Sequence, residues 1–168
     1  EIPNIIVVMD EAFTDYTMLC DLDINKDNLP FLHSLKKNTI KGRLFTPVYG
    51  GGTVSTEFES LTTNTMTFEP YGVTSYTTFI HSPMESMASN LQEQGFGTAE
   101  ALHPFIKEDY KRDKVYNYFG FDKFYGMEDM GENPEICGTW ISDNADVEKV
   151  IEKYKEYRKK TDKPYFMY

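Results

Sequence analysis

Residues 4–9 of the chain read Asn-Ile-Ile-Val-Val-Met, and Asp10 and Glu11 follow them directly. A short unbroken apolar run that is rich in β-branched side chains predicts a strand buried on both faces, as in a parallel sheet. In open α/β sheets, ligands bind outside the carboxyl ends of the strands, which is where these two carboxylates stand. The run therefore predicts both a parallel sheet and the edge of that sheet at which a site would lie.

Helix and strand patterns alternate along the rest of the chain, which predicts an α/β fold with a mostly parallel sheet flanked by helices. The predicted helices cover residues 30–37, 53–61, 83–94, 109–118 and 143–160. The further predicted strands cover residues 39–45, 97–102 and 164–168. Because a core strand pattern begins at Pro164, we expect residues 1–168 to be the N-terminal portion of a larger domain that continues beyond Tyr168.

Local signals place the helix ends. Pro30 favours the first turn of a helix capped by Asn28 or Leu29, with Leu32 and Leu35 facing inward.

Two later helices also have start signals. Residues 82–85 read Ser-Pro-Met-Glu, a capping-box pattern, and Gly95 would end the helix that follows. Ser142 precedes a turn rich in Asp, which suits the positive end of a helix dipole.

Composition excludes some functions. The 168 residues carry a formal net charge of -10, whereas nucleic-acid binders normally present a basic surface. No apolar run is long enough to span a bilayer. Cys20 and Cys137 lack metal-binding spacing, and we expect no disulfide framework.

Thr53 is the first candidate for chemistry, because Gly50, Gly51 and Gly52 precede it at the start of a predicted helix. Glycines allow positive φ angles and a close backbone approach to a ligand. A helix N-terminus favours an anion such as phosphate. A plain N-cap with Glu57 in the following turn explains the same pattern, and on this motif alone it is the stronger interpretation.

Glu11 and Asp10 form the second candidate, since a hard divalent cation takes carboxylate ligands. Acidic residues also commonly end strands for local reasons.

The third candidate is the group His103, Tyr110 and Arg112, in which the arginine suits phosphate recognition. A mixed-charge surface helix explains the spacing of this third group equally well.

Five segments, in order along the chain, resemble the sulfatase-like domain of lipoteichoic acid synthases and related bacterial phosphoglycerol transferases. They are residues 3–15, residues 50–59, residues 102–104 with 110–116, residues 119–124 and residues 142–146. The resemblance spans nearly the whole chain and implies an alkaline phosphatase/sulfatase-like fold.

The resemblance also implies roles for single residues. Glu11 matches the first metal ligand of the family, and Thr53 matches a nucleophile that also contacts the metal. Arg112 matches an arginine that binds the phosphoglycerol head group. Tyr110 stands where the family commonly has Trp, and His103 lies in a matching motif as a further candidate substrate contact.

A single Mn²⁺ or Mg²⁺ ion is the cofactor that the resemblance implies. The remaining ligands of the family, an Asp-His pair, and a substrate-binding His lie downstream of the strand that begins near Pro164. We therefore expect residues 1–168 to be inactive when isolated.

The implied function is transfer of glycerophosphate from a phosphatidylglycerol-type lipid to a hydroxyl of a cell-envelope polymer, through a threonine-bound intermediate. The family also implies a place at the extracellular face of the bacterial membrane, with anchoring by upstream helices. A phosphodiesterase or sulfatase-type hydrolase is one alternative, although neither cysteine stands in the Cys/Ser-x-Pro-x-Arg motif of typical sulfatases. A non-catalytic domain that binds envelope polymer is the other alternative.

Overall fold

The computed structural model describes residues 2–168 and divides into two compact units. The larger unit contains the residues up to Met9 together with Pro47–Tyr168, and the smaller unit is Asp10–Thr46. None of the helices in the described part of the chain is both long and apolar enough to cross a membrane.

A four-stranded parallel sheet organises the larger unit, with the strand order β1-β6-β2-β3. These strands are β1 (Ile5–Ile6), β2 (Thr98–Leu102), β3 (Lys123–Tyr125) and β6 (Tyr165–Met167). The predicted strands at 4–9, 97–102 and 164–168 all join this sheet, so the α/β fold with a mostly parallel sheet is confirmed. The order places β1 at one edge of the sheet, paired with β6, and β6 and β2 at its centre.

Helices connect and cover the strands. In the larger unit they are α2 (Thr53–Thr62), α3 (Ser75–Thr78), α4 (Met87–Glu93), α5 (Arg112–Tyr118) and α6 (Asp143–Arg158). A separate antiparallel hairpin consists of β4 (Ile136–Cys137) and β5 (Trp140–Ile141). The predictions for α2 and α6 are confirmed, and the Ser142 hydroxyl caps α6 by accepting from the Ala145 N–H at 3.1 Å.

Small and aromatic side chains together build the core. Ala99 and Ala101 of β2 are fully buried on the same face of the strand, where their small size leaves room for larger rings. The Phe121 ring stacks on Phe166 with centroids 5.9 Å apart. Burying a side chain of this size contributes roughly 1.5–3 kcal/mol, so the aromatic residues are a main source of stability.

The start of α4 differs from the prediction. The helix begins at Met87 and is capped by Ser86, which forms a capping box with Ser89, and residues 82–85 are not helical. The buried Ser86 hydroxyl also donates to the Phe119 carbonyl oxygen at 2.6 Å. This tertiary bond selects Ser86 over Ser82 as the cap, whereas the predicted stop at Gly95, with φ +99°, is correct.

The predicted helix at 109–118 is interrupted near its start. A 3₁₀ turn at Asp109–Lys111 precedes α5, and both Tyr110 (φ 52°) and Lys111 (φ 60°) adopt left-handed backbone conformations. Gly120, with φ +85°, follows the end of α5.

The smaller unit contains the short helix α1 (Pro30–Ser34), with Pro30 in its first turn as predicted. The prediction that Leu32 faces inward is wrong, because its side chain is exposed. The predicted strand at 39–45 is also wrong. Ile40, Leu44 and Phe45 are highly exposed, and residues 39–45 pair with no strand. An apolar run alone does not make a strand unless its backbone N–H and C=O groups find partners.

Candidate active site

The N-terminus of α2 is built by the glycine run. Gly50, Gly51 and Gly52 have φ angles of +72°, +124° and +87°. Gly52 occupies the N-cap position, and its carbonyl oxygen accepts from the Ser55 N–H at 2.8 Å. The three left-handed residues turn the chain so that Thr53 is the first residue of the helix.

Thr53 is half-buried, whereas the next four residues of α2 are buried. The helix dipole adds positive potential at this N-terminus. A hydroxyl at this position is reachable from solvent and lies where a phosphate group would be stabilised.

A buried ion pair lies one turn further along α2. Glu57 Oε1 is 2.7 Å from Arg112 Nη2, and Arg112 Nε lies 3.3 Å and 3.2 Å from the two Glu57 carboxylate oxygens. The Tyr116 hydroxyl donates to Glu57 Oε2 at 3.0 Å. Both charged side chains are nearly inaccessible, so each depends on the other for compensation of its charge.

Arg112 is held from a second side as well. Its Nη1 lies 3.4 Å from Asp109 Oδ2, and the exposed Tyr110 ring lies 5.5 Å from the guanidinium carbon. Burial lowers the pKa of Arg112, but the hydrogen bonds and charge of Glu57 raise it by a larger amount. The net effect is a raised pKa, so the group stays protonated. The left-handed turn at Tyr110 and Lys111 thus places a fixed cation with an aromatic ring beside it.

His103 directly follows β2, and its backbone N–H donates to the Tyr125 carbonyl oxygen at 3.0 Å. Burial lowers the pKa of its imidazole, and the positive charge of Arg112 lowers it further. At pH 7 the ring is therefore neutral and can donate one hydrogen bond and accept another.

The carboxyl edge of the sheet gathers several of these groups. His103 follows β2, and Tyr168 follows β6, where its hydroxyl lies 2.8 Å from the Ser60 hydroxyl of α2. Tyr168 thereby ties α2, which also carries Thr53 and Glu57, to this edge. Arg112 thus packs against α2 through Glu57, and its positive charge lowers the pKa of His103.

Glu11 follows β1 in the chain and belongs to the smaller unit, where Phe13 N–H donates to the Asp10 carbonyl oxygen at 3.1 Å in a tight turn. Within residues 2–168, no three His, Cys, Asp or Glu side chains are grouped as a metal site would require. The carboxylate of Glu11 and the hydroxyl of Thr53 are oxygen donors, which suit Mg²⁺ or Mn²⁺. Their joint role as metal ligands stays a prediction.

Glu57 is the residue that sequence reasoning missed. In the sequence it stands in the first turn after a plain N-cap, but it lies on the same face of α2 as the buried Val54 and Leu61. A carboxylate on an apolar helix face implies a buried cationic partner. That spacing was a usable signal, but Arg112 lies 55 residues away and the sequence does not single it out.

The protein-family model for sulfatases matches residues 3–168. The chain belongs to the sulfatase family. This sulfatase-family chain is 32% identical over 166 residues to a Rhizobium meliloti (strain 1021) protein described as a cyclic beta-1,2-glucan modification protein. The match covers 99% of the chain and 24% of that relative.

A solved structure agrees with the family assignment. The lipoteichoic acid synthase LtaP from Listeria monocytogenes matches with a TM-score of 0.62 and 25% identity, over 73% of this chain and 29% of that one. A Vibrio parahaemolyticus protein of the alkaline phosphatase superfamily matches over 51% of this chain and 21% of its own, with 24% identity and a TM-score of 0.46. The expected alkaline phosphatase/sulfatase-like fold is confirmed by the LtaP match. The sulfatase-family chain spans about a quarter of the length of these proteins.

Proposed function

We propose that the protein containing this chain transfers glycerophosphate from a phosphatidylglycerol-type lipid to a hydroxyl group of a cell-envelope polymer. The observation that carries the proposal is the position of Thr53, which opens α2 behind three glycines of positive φ. The likeness to a lipoteichoic acid synthase supports this chemistry. The description of the Rhizobium meliloti relative favours a glucan as the acceptor.

In the first step, the Thr53 hydroxyl oxygen attacks the phosphorus of the lipid. A bond forms between that oxygen and phosphorus, and the bond from phosphorus to the diacylglycerol oxygen breaks. The proton of the Thr53 hydroxyl passes to solvent, and the diacylglycerol oxygen takes up a proton from solvent as diacylglycerol leaves. Glycerophosphate stays on Thr53. In the second step, an acceptor hydroxyl attacks the same phosphorus, the bond to Thr53 breaks, and the threonine hydroxyl is restored.

An unaided threonine hydroxyl is a poor nucleophile at neutral pH. A Mn²⁺ or Mg²⁺ ion, when bound, supplies Lewis-acid chemistry that lowers the pKa of such a hydroxyl. In this chain Glu11 and Thr53 would hold it, with the remaining ligands supplied from outside residues 1–168.

The other site residues act on the phosphate. The first-turn N–H groups of α2 stabilise negative charge on its oxygens. Arg112, whose side chain is nearly inaccessible, acts on the phosphate through its positive charge. Neutral His103 and the exposed edge of Tyr110 contact the glycerol hydroxyls. Glu57 holds Arg112 in place and is a positioning residue.

Both substrates place the reaction outside the cell. We propose that the complete protein works at the extracellular face of the bacterial membrane, where it is anchored by helices upstream of this chain. A lipid donor in that membrane and an envelope polymer are then both within reach.

The decisive experiment uses the full-length protein with Mn²⁺ and a phosphatidylglycerol analogue. Intact-mass measurement is expected to detect a glycerophosphate adduct that is absent from Thr53→Ala and present in Thr67→Ala, an exposed threonine outside α2. An adduct that persists in Thr53→Ala would contradict the assignment of the nucleophile.

Product analysis separates transfer from hydrolysis. With an acceptor polymer present, transfer predicts polymer-bound glycerophosphate, whereas a hydrolase releases free glycerophosphate at the same rate with or without the polymer. Absence of both an adduct and any product, with polymer binding retained, identifies a non-catalytic binding domain.

A further inference from the structure

The hairpin β4–β5 presents a large aromatic surface. Trp140, the single tryptophan of the chain, has 62% of its side chain exposed. One edge of its indole packs on the Phe105 ring, with centroids 5.4 Å apart and an angle of 57° between the planes. The remaining indole surface faces outward, which is unusual for the most apolar area that a side chain can offer.

Trp140 is rigidly mounted. The strands β4 and β5 pair antiparallel, and the Ser142 N–H donates to the Glu135 carbonyl oxygen at 2.9 Å, which closes the base of the hairpin. Ser142 is also the N-cap of α6, the longest helix of the described residues. An indole fixed in this way loses little conformational entropy when a ligand covers it.

The aromatic surface is continuous with the candidate active site. Phe105 follows His103 by two residues, and their ring centroids lie 6.5 Å apart. The Phe105 carbonyl oxygen accepts from the Met127 N–H at 2.8 Å, and this bond fixes the segment after β2. The rings of His103, Phe105 and Trp140 therefore form a row that leads outward from the edge of the sheet where Arg112 lies.

Charge around the indole selects the kind of ligand. Glu135 and Asp143 flank the hairpin and are exposed, and the chain as a whole carries a formal net charge of -10. An anionic polymer or an anionic lipid surface would be repelled here. A neutral sugar ring fits better, because its C–H face covers the indole while its hydroxyls donate hydrogen bonds to the carboxylates.

We propose that Trp140, supported by Phe105, is the acceptor subsite, and that it binds a pyranose ring of a neutral glucan. The proposal rests on the proposed transfer function and adds the residues that hold the second substrate. The glucan hydroxyl that receives glycerophosphate would then approach Thr53 along the row of aromatic rings.

The test measures binding of a neutral β-linked gluco-oligosaccharide to the full-length protein by calorimetry. Trp140→Ala is expected to weaken binding about tenfold or more, because it removes the aromatic face that the sugar ring covers. Trp140→Phe keeps a ring against Phe105 and is expected to lose only about threefold. Tyr71→Ala removes a fully exposed aromatic ring elsewhere in the chain and is expected to bind as the unmodified protein does.

Three results would overturn the subsite. The first is unchanged oligosaccharide binding in Trp140→Ala, the result expected if other parts of the complete protein cover the indole. The second is equal loss in Trp140→Ala and Tyr71→Ala. The third is binding of an anionic glycerophosphate oligomer that depends on Trp140 more strongly than sugar binding does.

Donor chemistry separates this proposal from the proposed function. The Thr53 adduct is expected to form at the same rate in Trp140→Ala, while the KM for the glucan rises and kcat changes little. If no adduct forms in the unmodified protein but the oligosaccharide still binds through Trp140, the transfer function is wrong and the sugar site stands.

Discussion

Glu57 and Arg112 form a nearly solvent-free ion pair, with 2.7 Å between Oε1 and Nη2, that joins α2 to the start of α5. Since α2 begins at Thr53, this pair fixes the distance between the candidate nucleophile and the candidate phosphate-binding arginine. The same interaction therefore contributes to both the stability of the fold and the geometry of the site.

Glu57→Gln is expected to destabilise the protein by about 3 kcal/mol, because it leaves the buried guanidinium without a compensating charge. Urea denaturation of the folded domain measures this as a lower midpoint with an unchanged slope. Glu93→Gln, at an exposed position of α4, is the matched control and is expected to change stability by less than about 0.5 kcal/mol. Equal midpoints for the two variants would show that the pair contributes nothing to stability.

Arg112→Lys is expected to reduce kcat/KM roughly 100-fold while the protein stays folded. Lysine keeps the charge, but it lacks the planar fork that contacts both carboxylate oxygens of Glu57 and holds the charge in place. Initial rates with the lipid donor measure the effect. Arg158→Lys, at the exposed end of α6 where the arginine pairs with Asp162, is the control and is expected to keep full activity. An Arg112→Lys enzyme with the activity of that control would remove Arg112 from the site.

The main features of the fold were readable from the sequence because they depend on local patterns. A continuous β-branched run predicts a buried parallel strand, and three glycines before Thr53 predict a helix start with left-handed backbone. Each of these signals lies within about ten neighbouring residues. The structure agrees with the expectation for α2, and β1 joins the parallel sheet as expected. The prediction that β1 is buried on both faces is wrong, because β1 is an edge strand and both Ile6 and Val8 are exposed.

The errors arose where distant residues decide the outcome. The cap of α4 is Ser86 rather than Ser82 because of a hydrogen bond to Phe119, which is 33 residues away. The Glu57–Arg112 pair likewise depends on tertiary packing. Residues 39–45 have the composition of a strand but no neighbouring strand. The structure does not test the prediction that Thr53 and Glu11 bind a metal ion. That part of the site rests on the family resemblance.

Gly52→Ala is expected to destabilise the protein by roughly 1–2 kcal/mol, because Gly52 has a φ of +87° that L-residues adopt at a cost. The added methyl group would also lie 3.4 Å from a Val48 methyl carbon. Since the strain falls directly before Thr53, adduct formation should slow as well. Thermal unfolding and the intact-mass assay measure the two effects. The control is Gly42→Ala, where the added methyl meets nothing within 4 Å and φ is not positive. Equal melting temperatures for the two variants would contradict the strained turn.

The order of the smaller unit is expected to depend on pH through His33. Its Nε2 lies 2.8 Å from Asp15 Oδ2, and its Nδ1 lies 2.9 Å from Asp27 Oδ1. Because two carboxylates accept from the two ring nitrogens, the hydrogen bond to Asp15, then that to Asp27, raises the pKa of His33 above its usual value. The same bonds to His33 lower the pKa values of Asp15 and Asp27.

The direction of the effect follows from these shifts. A raised histidine pKa means that the stabilisation is complete below about pH 6.5, the unperturbed value, and is lost as the pH rises through the pKa of folded His33. The lowered pKa values of the two aspartates mean that the stabilisation by the Asp15–His33–Asp27 contacts is also lost in acid, as the pH falls below about 3.8. Amide hydrogen exchange of residues 15–33 is therefore expected to be slowest near pH 5–6, after correction for the intrinsic rate. The His33→Gln variant should show no such optimum, whereas His81→Gln should keep it, because the His81 Nε2 lies 2.9 Å from the Thr78 carbonyl oxygen, outside the bridge. Protection that stays constant from pH 5 to pH 9 in the unmodified protein would show that the Asp15–His33–Asp27 bridge does not order this segment.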